Sequence, residues 1–177
     1  MRNAVSFLYL SILVVLFGCG KSNSIDTALN SDENTNQKEF KITEKTVEDI
    51  EYTDYVLSIE AEEAVEAWEK YKELGIQISY LKKVDLSFFN SESNLLVEFV
   101  DDFKSNVPEN LQTNPILSRV AIVETTLLKL NADLTLDNIT STEQLESLEA
   151  VLTAYSNLNF QINKKLERDI YDKIQAE

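Results

Sequence analysis

"NPILSRVAIVETTLLKLNADL", from Asn114 to Leu134, decides the fold class. Ile116, Val120, Val123, Leu127, Leu130 and Leu134 recur at spacings of four and three. At a helical turn of 100° per residue they fall within about 80° of arc, the signature of an amphipathic helix. Asn114-Pro115 supplies a start signal: Asn caps a helix well, and Pro is favoured at the first helical position. Leu117, Ala121, Ile122 and Leu128 spread around the remaining faces. A helix apolar on most sides is expected at the centre of a helical assembly.

The pattern continues in both directions. Downstream, Ser141-x-x-Gln144 reads as a capping box. It opens a last helix carrying Leu145, Leu148, Leu152, Tyr155, Ile162, Leu166, Ile170 and Ile174, about 30 residues long by its periodicity. Upstream, a helix begins near Ser91, with Leu95, Leu96, Phe99, Val100, Phe103 and Val107 as its stripe and Pro108 as its stop. From Ile42 onward, Val47, Ile50, Tyr55, Ile59, Val65, Trp68 and Tyr71 recur near a helical period, followed by Leu74, Ile78, Leu81 and Phe88. Gly75 either ends that first helix or sits within it. Ile76–Tyr80, "IQISY", alternates like a strand, but a lone strand has no partner, so helix is the reading. The chain has 3 Gly and 2 Pro in 177 residues, few for a protein of sheets and tight turns. The expected fold is all-α: an antiparallel bundle of four or five helices, the first and last long, over residues 42–177.

Composition excludes several chemistries. There is no histidine and one cysteine, so no Ser-His-Asp triad, Cys-His pair, His metal ligand or internal disulfide can form. No phosphate-binding or dinucleotide-binding glycine motif is present. The net charge of −15 repels nucleic-acid phosphates, and no basic stripe offsets it. Carboxylates abound, but Glu62-Glu63 and Asp101-Asp102 are sequence neighbours that diverge on a helix. Glu62, Glu66, Glu69 and Glu73 fall on one helical side and read as a solvated face; the sequence implies no metal and no other cofactor.

Some polar residues interrupt the apolar stripes. Asn159 lies among Leu152, Tyr155, Ile162 and Leu166 on the helical wheel, with Ser156 and Asn163 at spacings of three and four. Arg119, Glu124 and Asn131 flank the stripe of the preceding helix. Arg119 and Glu124 sit on opposite flanks, so each needs a partner on another helix. Two readings follow: a buried polar network that sets helix register, or a polar pocket that takes a small ligand.

The amino end carries a separate message. Arg2 precedes an apolar run from Ala4 to Phe17, about 14 residues, too short for a bilayer that needs about 20. A positive start, short apolar middle and small residues at the end describe a signal peptide, residues 1–18. Leu16-Phe17-Gly18-Cys19 resembles the lipobox of bacterial lipoproteins. That resemblance implies acylation of Cys19 and cleavage before it, giving a chain of charge −16 once Arg2 is lost. Two or three acyl chains hold a protein firmly at a membrane. Residues 19–41, rich in Ser, Asn, Thr and charge, read as a flexible tether with a reach of about 25 Å. Gly20 in place of Asp after the cysteine favours the outer membrane, facing the periplasm. Asp32-Glu33 resembles the acidic signals of surface lipoproteins, which makes the cell surface the alternative.

The expected function is a non-catalytic, lipid-anchored binding, assembly or structural module of the bacterial cell envelope. Its partners are the membrane, through Cys19, and other envelope proteins, with no nucleic acid. The alternative is a small-ligand binder or sensor, and a carboxylate-based hydrolase ranks third.

Overall fold

The computed structural model describes residues 40–176. The expected signal peptide, Cys19 and nearly all of the expected tether lie outside the described residues. Six α-helices follow in order: α1 Glu44–Glu48, α2 Ile59–Ala64, α3 Glu69–Leu81, α4 Ser93–Ser105, α5 Asn114–Thr135 and α6 Ser141–Gln175. A 3-10 turn, Glu109–Leu111, lies between α4 and α5, and there is no strand among the described residues. The all-α bundle expected from the periodicity is the fold.

The antiparallel hairpin of α5 and α6 forms the most extensive helix pair, with α4 on α5, α3 on α4, and α2 on α6. α6 has 35 residues, so it runs about 52 Å against about 33 Å for the 22 residues of α5. Its far end therefore projects beyond the hairpin. Ile170 and Ile174 continue its apolar period but stand 44 % and 68 % exposed. The core is built from Trp68, Leu74, Leu81, Phe89, Leu96, Phe103, Leu127, Leu130 and Leu148, all fully buried. α5 is less central than its composition implies. Ile116, Val120, Val123, Leu127 and Leu130 are buried, but Leu117 and Ile122 face solvent, because α4 and α6 cover only one side.

The expected long first helix is three short helices and an extended segment. α1 ends at Asp49, and residues 50–58 have no regular secondary structure. The Ser58 hydroxyl accepts the Ala61 N–H and caps α2. The turn at Val65–Ala67 then redirects the chain. Trp68 is the reason for that turn. Its ring lies between Tyr71 at 5.1 Å and Phe103 at 4.8 Å, and its indole N–H donates to the Phe103 carbonyl at 2.8 Å. Burying an indole while satisfying its N–H outweighs the few helical hydrogen bonds lost at the turn. The same break means that Glu62 and Glu66 do not share a helix with Glu69 and Glu73, so the acidic ridge is not one helical face.

α3 runs through Gly75 and includes Ile76–Tyr80, so the strand-like alternation is helical. A Cβ at Gly75 would meet the Tyr155 hydroxyl at 2.7 Å, so glycine lets that phenol lie against α3. α3 ends in a Schellman motif: the Asp85 N–H bonds Tyr80 O and the Val84 N–H bonds Leu81 O. Val84 takes the left-handed position there, at φ 62°, where glycine is usual. Its side chain packs partly against the core, which offsets strain of about 1–2 kcal/mol.

Two helix starts differ by one residue from the expected ones. The N-cap of α5 is Thr113, with Asn114-Pro115 inside the first turn, and Thr113 makes no side-chain capping bond. The capping box of α6 is Thr140 with Glu143, not Ser141 with Gln144. A carboxylate accepts more strongly than an amide, and Glu143 takes both the N–H and the hydroxyl of Thr140. Gln144 instead donates to the Asp133 carbonyl at 3.0 Å, fastening the α5–α6 turn. Thr140→Ala should therefore lower stability by about 1 kcal/mol. Ser141→Ala should stay within about 0.5 kcal/mol. Urea melts of the two variants check this.

Candidate functional site

The polar residues of α6 meet the extended segment. On an α-helix, spacings of three and four place Ser156, Asn159 and Asn163 in one row. The Ser156 hydroxyl donates to Thr53 O and accepts the Tyr55 N–H at 2.7 Å. Asn159 donates its amide to Tyr55 O at 2.9 Å. Asn163 donates to Val56 O at 2.8 Å and accepts the Ser58 N–H at 2.9 Å. Three side chains thus serve five main-chain groups of residues 53–58, in the way a neighbouring strand would.

Asn159 has one further partner. Its carbonyl oxygen accepts the Tyr71 hydroxyl at 2.6 Å, so a buried amide and a buried phenol satisfy each other. Tyr155 stacks on Tyr71 with ring centroids 5.5 Å apart. Burial pushes the hydroxyls of Tyr71 and Tyr155 above the ordinary phenol range, so both stay protonated under all physiological conditions. A cleft of about 280 Å³ opens beside them, between the extended segment, α3 and α6. Lys82 at its rim holds Asp54 at 2.5 Å, and its ammonium lies 5.9 Å from the centre of the Tyr52 ring. Burial alone would lower the Lys82 pKa, but Asp54 and Tyr52 together hold it above its ordinary value.

The other expected site residues lie elsewhere. Arg119, Glu124 and Asn131 span 12 positions of α5, about 18 Å, and do not converge with Asn159. Glu124 finds the expected cross-helix partner, accepting from Lys104 on α4 at 2.7 Å. Arg119 does not: its guanidinium reaches only Pro115 O on its own helix, at 3.4 Å. Asn131 is a second clasp, donating to Phe89 O and Ser91 O and accepting from the Ser93 hydroxyl. It holds the irregular chain that enters α4. Asn131, Asn159 and Asn163 thus bond mainly to non-helical backbone rather than to side chains of another helix.

Sequence reasoning missed Asp133 and Ser147. Both are buried, at the closed end of the α5–α6 hairpin. The Asp133 carboxylate accepts from the Ser147 hydroxyl and from Lys129, 2.5 Å away. Burial raises its pKa, but Lys129 and Ser147 outweigh that and hold it below the usual carboxyl range. The helical spacing of Lys129 and Asp133 was visible; the partner across the turn was not. Among the described residues no group of three or more carboxylates or other ligands is arranged to hold a metal ion.

Two outcomes test the roles of these groups. Asn159→Leu should cost about 2–3 kcal/mol, because it strands the Tyr71 hydroxyl and Tyr55 O. Adding Tyr71→Phe should return about 1 kcal/mol of that loss, a coupling read from a double-mutant cycle. Because the folded pKa of Asp133 is depressed, its stabilisation is present above the unfolded carboxyl pKa and lost as pH falls below about 4. Asp133→Asn should be about 1 kcal/mol less stable than the natural chain at pH 7, and the gap should close as pH falls below the ordinary carboxyl range in thermal melts.

No protein-family model, curated protein or solved structure matches the chain, so the functional reading rests on its own residues.

Proposed function

We propose that the protein is a non-catalytic lipoprotein of the bacterial cell envelope, anchored through acyl chains on Cys19 and acting as a binding or assembly module for other envelope proteins. One observation carries the choice among functions. The side-chain amides expected to line a ligand pocket are spent within the chain itself: both polar ends of Asn159 and of Asn163 have protein partners, the backbone of the extended segment and the Tyr71 hydroxyl. A small polar ligand would have to displace those bonds, whereas a protein partner has open surface to use. The projecting end of α6 offers Ile170, Tyr171 and Ile174, which are 44 %, 59 % and 68 % exposed. Apolar side chains of that kind, set among charges, suit a protein interface.

The anchor reading rests on Leu16-Phe17-Gly18-Cys19 and the short apolar run before it. Among the described residues no helix is long and apolar enough to cross a membrane, so attachment in this reading falls to the lipid. Gly20 favours the outer membrane, facing the periplasm, with the cell surface as the alternative.

Cys19→Ala should move the protein from the membrane fraction to the soluble or unprocessed fraction and abolish labelling by a radioactive fatty acid. Unchanged fractionation and labelling would refute the anchor. Detergent-solubilised natural chain should bring down a defined envelope protein. Ile170→Asp with Ile174→Asp should weaken that capture at least tenfold without lowering the melting temperature. Capture of nothing would count against the assembly role.

A further inference from the structure

Residues 51–58 form a strap across α3 and α6. None of their side chains is fully buried, and Val56 is 78 % exposed. The strap is held by polar contacts to its main chain and by partial packing of Tyr52, Tyr55 and Leu57. Five hydrogen bonds from Ser156, Asn159 and Asn163 reach its main-chain atoms, at Thr53 O, Tyr55 N, Tyr55 O, Val56 O and Ser58 N. Side chains add a second set of contacts: Lys82 takes the Asp54 carboxylate and lies over the Tyr52 ring, Phe160 takes the Tyr55 ring at a centroid distance of 4.7 Å, and Tyr52 and Leu57 pack partly against the core.

Such a site recognises an extended polypeptide. Main-chain bonds supply affinity for any segment of that shape, and a few side-chain contacts supply preference. Sheet edges do this with backbone groups; here a row of helical side chains does it.

We propose that this face of α6 is a receptor for an extended segment of a partner protein, one with Asp or Glu directly before an aromatic residue, and that residues 53–58 occupy it in the partner's absence. This deepens the assembly reading above and rests on it. Charge complementarity fixes the preference. When the strap leaves, Lys82, only 36 % exposed, loses its carboxylate, and an incoming acid replaces it. The aromatic that follows takes the Phe160 face. A foreign segment is favoured over a second copy because each copy carries −15 and two such bundles repel. Release of the strap uncovers the partly buried Tyr52 and Leu57 but removes none of the fully buried residues of α3 to α6, so it is a local opening.

The probe is a synthetic peptide, "IEYTDYVLSI", matching Ile50–Ile59. A second peptide carries N-methyl groups at the Tyr55 and Ser58 amides, the two donors that the receptor accepts. The full chain should bind the first peptide weakly, because its own strap competes. The Asp54→Lys chain, its strap loosened by repulsion from Lys82, should bind at least tenfold tighter while keeping its helical circular dichroism. The N-methylated peptide should bind at least tenfold more weakly to both. Hydrogen exchange gives an independent measure: the amides of Tyr55 and Ser58 should exchange at least tenfold faster than those of Leu127 and Leu148. Equal binding of the two peptides, no saturable binding to the helical Asp54→Lys chain, or exchange of the strap amides only together with the core would each overturn the receptor. Concentration-dependent dimers dissolved by the first peptide would replace the foreign partner with a second copy. Membrane co-purification of a partner alongside failure of the peptide would sink this groove and leave the assembly reading standing.

Discussion

Main-chain groups that are in neither helix nor sheet must still find hydrogen-bond partners, and in this protein residues 53–58 find them on the side chains of Ser156, Asn159 and Asn163. The remaining architecture is arranged around that constraint. The row needs an unbroken helix to carry it, and α6 is that helix, paired along much of its length with α5. It needs Tyr71 to complete Asn159, and Trp68 sets the start of α3 so that Tyr71 faces the row. Gly75 leaves room for Tyr155 to lie beside it. Each of these residues looks like ordinary core or ordinary helix when taken alone.

Clasping irregular backbone by a side-chain amide recurs in the molecule. Asn131 does for residues 89–93 what Asn159 and Asn163 do for residues 55–58, and Gln144 serves in a similar way a carbonyl left open in the last turn of α5, that of Asp133. A Gln or Asn amide presents both a donor and an acceptor without charge, so it can serve backbone N–H and C=O alike in a partly dry site. The strategy explains how a chain with 3 glycines and no sheet among its described residues can still change direction several times. The polar residues that stand out in the sequence are largely occupied by the chain itself, while the apolar end of α6 is open.

Much of the fold was legible. Periodicity located α4, α5 and α6, and Pro108 and Asn114-Pro115 marked the break between the first two of them. The polar row was legible too, because Ser156, Asn159 and Asn163 stand at helical spacing within an apolar stripe. Its partner was not. Tyr55 and Ile59 fit a helical period as well as an extended one, and local pattern cannot say that residues a hundred positions away will satisfy the backbone between them. The shift of the α6 cap from Ser141 to Thr140 has the same character, since both offer a hydroxyl with a polar side chain three residues on.

By itself the sequence determined helix content, the absence of histidine chemistry, the acidity of the surface and the lipobox-like ending at Cys19, because these depend on residue identity and short-range spacing. Only the tertiary structure decided that the first apolar stretch breaks into three helices and a strap, that Glu124 pairs with Lys104 while Arg119, among the described residues, bonds only within its own helix, and that Asp133 and Ser147 close the hairpin. Those outcomes depend on where distant backbone groups find partners. Hydrogen bonds between groups far apart in the chain are worth as much as local ones, and they leave no periodicity to read.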